Sequence, residues 1–235
     1  MISHRGAAGL APENTLASIR EAIGQGAQFI EVDVQRSADG VLVLMHDRTV
    51  NRTTDGRGAI RELTWDEISE LDAGSSFSPG FAGEPVPSLA SVLELIRESA
   101  VSLVLEAKSP DLYPAIEQQI AETIQGFDVH DRVIVVSLDH GWLERFHELA
   151  FDISIGYLWV WPCNTPQTPT AEAMVVHWAG VILDPTLVRR MHRQDYQVWV
   201  WTVNDVRLMR LLIWLGVDGI TTDHPEVWPG VVGTR

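Results

Sequence analysis

Residues 28–35 read Gln-Phe-Ile-Glu-Val-Asp-Val-Gln, and residues 102–108 read Ser-Leu-Val-Leu-Glu-Ala-Lys. Both are short β-branched and apolar runs carrying charge toward one end, and segments of helical period lie between such runs. Strand-like runs occur at 1–4, 28–35, 102–108, 132–137, 153–158, 180–183, 197–202 and 219–222, eight in all. Periodicity predicts helices over 15–23, 88–99, 112–124, 140–150, 171–178, 185–193 and 206–215. Cap-type residues or an early Pro open several of them, at Ser88, Asp111, Asp184-Pro185 and Asn204, and Asn14 is a natural N-cap for the first.

Alternating β and α units imply a parallel sheet, and eight of them imply closure. An open doubly wound sheet would normally carry a GxGxxG turn after its first strand, and Gly6-Ala7-Ala8-Gly9 is not one. The expected fold is therefore α/β, a TIM (β/α)8 barrel with a small rim insertion after the second strand. The insertion is the stretch 47–87, rich in Thr, Asp, Gly, Ser and Pro and too long for an ordinary barrel loop. Within it Thr64 and Glu67 fit a capping box. The whole chain, 1–235, is expected to form one domain around this barrel.

Glu31 and Asp33 are two apart on one run, and Glu106 and Lys108 repeat the spacing on the next. Residues two apart on a strand share a face, so adjacent parallel strands would deliver three carboxylates and an ammonium to one patch. Barrel interiors are packed with apolar side chains, which makes such a patch costly unless a cation occupies it. Hard oxygen donors suit Mg²⁺ or Ca²⁺ better than zinc. Asp39-Gly40 reads as a two-residue hairpin turn between 32–35 and 41–45. That turn would set Ala38 opposite Val41, Arg36 opposite Val43, and Asp33 opposite His46. His4 and Arg5 end the first run. A histidine pair can act as acid and base near neutrality, and the Arg fork matches phosphate.

Composition sets limits on the partners. The formal net charge is −15, which repels nucleic acid and anionic lipid surfaces at long range. An anionic substrate therefore needs local positive charge, which a divalent cation, Arg5 and Lys108 could supply. Cys163 is the single cysteine, so an internal disulfide and a zinc ribbon are excluded and an inert buried thiol is expected. No leader pattern opens the sequence and no apolar run reaches about 18 residues. A cytoplasmic location without stable membrane association is expected.

The motifs His4-Arg5-Gly6, Ala11-Pro12-Glu13-Asn14-Thr15, Glu31-Val32-Asp33-Val34, Asp39-Gly40, His46-Asp47, Thr53-Thr54, Pro87-Ser88-Leu89, Glu106-Ala107-Lys108, Trp201-Thr202-Val203-Asn204 and 216–225 occur in order along nearly the whole chain. In these the chain resembles the glycerophosphodiester phosphodiesterases, and its length resembles their compact bacterial cytoplasmic type. The resemblance implies a TIM barrel that hydrolyses a small-molecule glycerophosphodiester to glycerol 3-phosphate and an alcohol. It implies one divalent cation on Glu31, Asp33 and Glu106, and proton transfer by His4 and His46. It further implies phosphate contacts from Arg5 and Lys108, and a glycerol pocket lined by Trp201. His224 and Ser137-Leu138 depart from the residues common in that family. A lysophospholipase D would also suit the fold but would need an apolar surface for acyl chains. An inert binding barrel would have no use for paired acid and base. A glycosidase would leave Arg5 and Lys108 without a task.

Overall fold

The computed structural model describes residues 1–160 and 171–233. Eight parallel strands form a closed barrel: β1 (Ile2–Ser3), β2 (Phe29–Arg36), β4 (Ser102–Ala107), β5 (Val133–Ser137), β6 (Ser154–Trp159), β7 (Ala173–His177), β8 (Gln197–Trp201) and β9 (Gly219–Thr222). Each pairs with its neighbour in parallel, and closure comes from β1, which pairs with both β9 and β2. Because β1 is two residues long, it covers only Phe29 and Ile30 of β2. The upper edge of β2 is thereby left free for the antiparallel rim strand β3 (Leu42–Leu44), which pairs with Val34–Arg36.

Helices α1 (Leu16–Gly24), α3 (Leu89–Arg97), α4 (Ile116–Gly126), α5 (His140–Leu149), α6 (Trp178–Leu183), α7 (Leu187–His192) and α8 (Val206–Trp214) follow barrel strands, and α9 (Trp228–Val232) follows β9. Strand residues pointing outward, such as Ile30, Val32, Val34, Leu103 and Leu105, share one core with the helices. Those pointing inward, Ile2, Val104, Ile134, Val136, Leu158, Ala173, Val175 and Trp199, fill the barrel. Gly219 has no Cβ because one there would lie 2.6 Å from Trp199 Cδ1. The bulky indole can therefore occupy the barrel axis. A third, smaller core of Val43, Met45, Val50, Ile60, Ile68, Ala73 and Val86 sits in β3 and the rim insertion, which carries the short helix α2 (Trp65–Ser69). The Thr64–Glu67 capping box expected at its start forms.

Two expectations change. The sixth strand is Ala173–His177, where a helix over 171–178 was expected, and the predicted strand 180–183 is helical. Ala173–Val176 are buried on both faces, which removes the alternation that marks a half-exposed strand. The Val181-Ile182-Leu183 run instead lies on a helix capped by the His177 side chain, which accepts from Ala179 N at 3.3 Å. The helix expected from 112 begins at Ile116, after a 3-10 turn over Pro110–Leu112 that contains Asp111. Cys163 lies outside the described residues. Among the described residues no helix is long and apolar enough to cross a membrane.

Candidate active site

Glu31 and Asp33 of β2 and Glu106 of β4 point inward, with Glu106 near the carboxyl end of β4 and Asp33 level with it, toward the end where barrel enzymes place their chemistry. Asp33 pairs in register with Glu106, and all three are buried. One oxygen from each lies within 4.8 Å of the others. Lys108, just beyond β4, forms ion pairs from Nζ with Asp33 Oδ1 at 3.0 Å and Glu106 Oε1 at 2.6 Å. Arg5 brings Nε to 3.3 Å from Asp33 Oδ2, outside hydrogen-bond geometry. Its main-chain N–H donates to Glu31 Oε2 at 3.0 Å. To do so Arg5 takes φ = 50°, and Gly6 follows at 81°, so the chain turns sharply after β1.

Burial and the charge of Asp33 push the Glu31 carboxyl above its ordinary range. The same two causes push Glu106 up to about 7, although Lys108 opposes them. Asp33 is itself buried, yet Lys108 and Arg5 hold it below the usual carboxylate range. Burial works against the Lys108 ammonium too, but Asp33 and Glu106 raise its affinity for the proton. Three carboxylates thus face two cationic side chains, and two of the three resist ionisation. Two oxygens on an ion bound at 2.3–2.6 Å lie at most about 5 Å apart, so the trio is within reach of one shared ion. The donor set fits a hard divalent cation, and the strained ionisation of Glu31 and Glu106 is what such a charge would relieve.

Two histidines flank the acids. His4 Nδ1 lies 2.6 Å from Asp223 Oδ1, just after β9, and its Nε2 is 3.9 Å from Glu31 Oε2. Burial pulls its pKa down, but the bond to Asp223 and the charge of Glu31 outweigh burial and raise it. His46 Nδ1 lies 2.8 Å from Asp47 Oδ1. There burial prevails over Asp33 and Asp47, and the pKa falls.

His46 reaches the site, but not by the expected register. The loop has three residues, 38–40: Ser37 N donates to Val41 O at 2.9 Å and Gly40 stands at φ = 95°. This is the bulged hairpin, with glycine in the left-handed position, rather than the two-residue turn. The pairing shifts by one, so Arg36 faces Leu42 and the Asp33 carbonyl receives Met45 N at 3.0 Å. His46 lies one residue further on, where the chain has left the ladder. What holds it is buried Gln35, whose amide donates to the carbonyls of Met45 (2.8 Å), His46 (3.3 Å) and Asp47 (2.6 Å). Its Oε1 accepts from Tyr113 Oη at 3.1 Å.

The two asparagines expected to cap helices do something else. Thr15 and Asp205, each one residue later, are the caps. Asn14, at φ = 56°, is freed to donate to Asp33 Oδ2 at 2.8 Å and to accept from Asp33 N at 3.0 Å. Asn204 donates to Asp223 Oδ2 at 2.6 Å and accepts from Asp223 N at 3.0 Å. One amide thus fixes a carboxylate of the cluster and the other fixes the partner of His4. Sequence reading missed Gln35, Asp223 and these amide roles. The Asp223 signal was present in the motif 216–225 but carried no stated task.

A cavity of about 170 Å³ joins His4, Arg5, Glu31, His46, Glu106, Lys108 and Trp201. Most of its remaining wall is apolar, with Val136, Leu138, Leu158, Val175 and Trp199 among the residues that form it. The Trp201 side chain lines the cavity, and its indole N–H is buried without a hydrogen-bond partner among the described residues.

A closed (β/α)8 barrel with acids, bases and cations gathered at the carboxyl end of its strands has the arrangement of a TIM-barrel enzyme. Residues 4–227 match the Glycerophosphoryl diester phosphodiesterase family. The chain belongs to that family and is a hydrolase of its phosphodiesterase class. It is 38% identical over 229 residues to a glycerophosphodiester phosphodiesterase of Caldanaerobacter subterraneus subsp. tengcongensis, covering 96% of this chain and 94% of the relative. It is 34% identical over 232 residues to that of Bacillus altitudinis, covering 96% and 95%. An Oleispira antarctica phosphodiesterase, solved in complex with the product sn-glycerol-3-phosphate, superposes with a TM-score of 0.89 at 28% identity, covering 99% of this chain and 96% of that one.

Proposed function

We propose that the chain, as one domain with 47–87 inserted in it, hydrolyses glycerophosphodiesters to sn-glycerol 3-phosphate and an alcohol with the help of one divalent cation. The observation that carries this reading is one cavity lined by Glu31, Glu106, two carboxylate-anchored histidines, an Arg and a Lys, with an oxygen of buried Asp33 within 4.8 Å of the two lining carboxylates. Glu31, Asp33 and Glu106 would hold Mg²⁺ or Ca²⁺. When bound, the cation supplies positive charge against the phosphate oxygens as negative charge builds during in-line displacement. Arg5 and Lys108 bind the non-bridging oxygens from the protein side, and Trp201 packs against the glycerol. Each histidine is held through Nδ1, which leaves Nε2 for proton exchange with the substrate. His46 takes the proton of the attacking hydroxyl, whether of water or of the glycerol itself. His4 gives one to the departing alkoxide.

The test is release of glycerol 3-phosphate from glycerophosphocholine by the purified protein, followed by ³¹P NMR so that a cyclic phosphate is seen if it forms. Substituting His4→Ala or His46→Ala is expected to lower kcat about 10²–10⁴-fold. Chelation should abolish turnover, with Mg²⁺ or Ca²⁺ restoring it. Full turnover after thorough chelation would overturn the metal assignment, and an active His46→Ala variant the assignment of the base.

A further inference from the structure

We propose that Arg52, in the rim insertion, is a positioning residue that orients His46 and Arg5 together through a single guanidinium. Its Nε donates to Asp47 Oδ2 at 2.7 Å and its Nη1 to Glu13 Oε2 at 2.7 Å. Nη2 is shared, donating to Asp47 Oδ1 at 3.1 Å and Glu13 Oε1 at 2.8 Å. Those two oxygens are the ones already engaged with the site. Asp47 Oδ1 lies 2.8 Å from His46 Nδ1, and Glu13 Oε1 accepts from Arg5 Nη1 at 2.9 Å. One nitrogen therefore stands a single carboxylate away from the imidazole on one side and from the other guanidinium on the other. Glu13 belongs to the β1–α1 loop and Asp47 to the start of the insertion, so Arg52 also ties the insertion to the barrel mouth.

The side chain of Arg52 is 46% exposed, and ion pairs at such exposure contribute little to stability. Four donations from a half-exposed group are better explained by geometry than by stabilisation of the fold. The four donations come from three nitrogens of one planar fork, two to each carboxylate. A lysine ammonium, with three donors on a single nitrogen, cannot reproduce that paired geometry. Without Arg52 the Asp47 carboxylate would face His46 uncompensated and strengthen its hold on the proton.

The proposal rests on the roles given above to His46 and Arg5, and the experiment separates the two. Arg52→Gln, Arg52→Lys and Arg52→Ala are compared with His46→Ala, using glycerophosphocholine and saturating Mg²⁺. For Arg52→Gln, kcat/KM is expected to fall about 30–100-fold, mostly in kcat. The acid limb of its pH profile is expected to move to higher pH, with Mg²⁺ affinity by calorimetry and the melting temperature close to wild type. Arg52→Lys should recover less than half of the loss, and millimolar guanidinium should partly rescue Arg52→Ala, because the site is open to solvent. In a double-mutant cycle with Asp47→Asn the two losses should not add. If Arg52→Gln keeps kcat/KM within threefold and an unmoved pH profile while His46→Ala is inactive, the positioning role is wrong. A loss that disappears on cooling and tracks the melting temperature would equally overturn it, by making the residue merely structural. An active His46→Ala variant would overturn the underlying reading of the site.

Discussion

Asn14 and Glu106 are the residues at which charge and geometry are most tightly coupled. Asn14 gives both ends of its amide to Asp33, one to the carboxylate and one to the main chain. Its replacement by Ala would leave a buried N–H and a buried carboxylate oxygen without that partner. Unfolding free energy should drop by about 1–3 kcal/mol, read by urea denaturation, and divalent-ion affinity by about 10–100-fold, read by calorimetry. Glu106 holds its proton up to about 7 in the metal-free protein. A divalent ion must displace that proton, so affinity for Mg²⁺ or Ca²⁺ should rise as pH climbs through 7 and level off above it. Calorimetry in buffers of different ionisation heat would count the proton released, and a pH-independent affinity would contradict the buried acid.

At the scale of elements, the decisive piece is the hairpin of β2 and β3 with the turn that follows. Gln35→Leu removes three donations to the turn that carries His46. It should lower kcat by about 10–100-fold with a much smaller change in ion affinity, because the three carboxylates do not depend on that turn. The i, i+2 spacing of Glu31 and Asp33 was readable directly, since a strand dictates it. So was the rim insertion, whose turn-rich composition cannot continue a βα rhythm. The register was not readable from Asp39-Gly40 alone, because the same dipeptide serves two-residue and bulged three-residue loops. The exchange of strand and helix around 171–183 had a similar cause. A strand buried on both faces and a short helix rich in β-branched residues present the same apolar run. The roles of Asn14 and Asn204 were hidden because a cap residue and its predecessor are alike in sequence. Only the fold decides which side chain turns back to the helix and which reaches across to a carboxylate.

For the whole molecule, the cluster sets a balance between folding and function. Glu106 has a folded-state pKa raised to about 7 from an ordinary 4.5. Its contribution to stability is full below the lower value and is lost as pH rises through the higher one. The metal-free protein should therefore lose stability between about pH 5 and pH 7 from this group. Saturating Mg²⁺ or Ca²⁺ should restore it, so the metal-induced rise in melting temperature should be larger at pH 8 than at pH 5. Calorimetric scans at both values, with and without ion, check this. A rise equal at both would mean that the ion binds elsewhere.

Closure by β1 has a consequence for how the protein comes into being. His4 meets Asp223 across 219 residues of chain, and β1 is held by β9 as well as β2. Of the barrel strands, β1 is made before β9 and waits for it half paired. Until residue 223 has been made, a nascent chain carries every carboxylate of the cluster but cannot hold its first histidine. A chain that stops before β9 would lack both the strand that closes the ring and the carboxylate that holds His4.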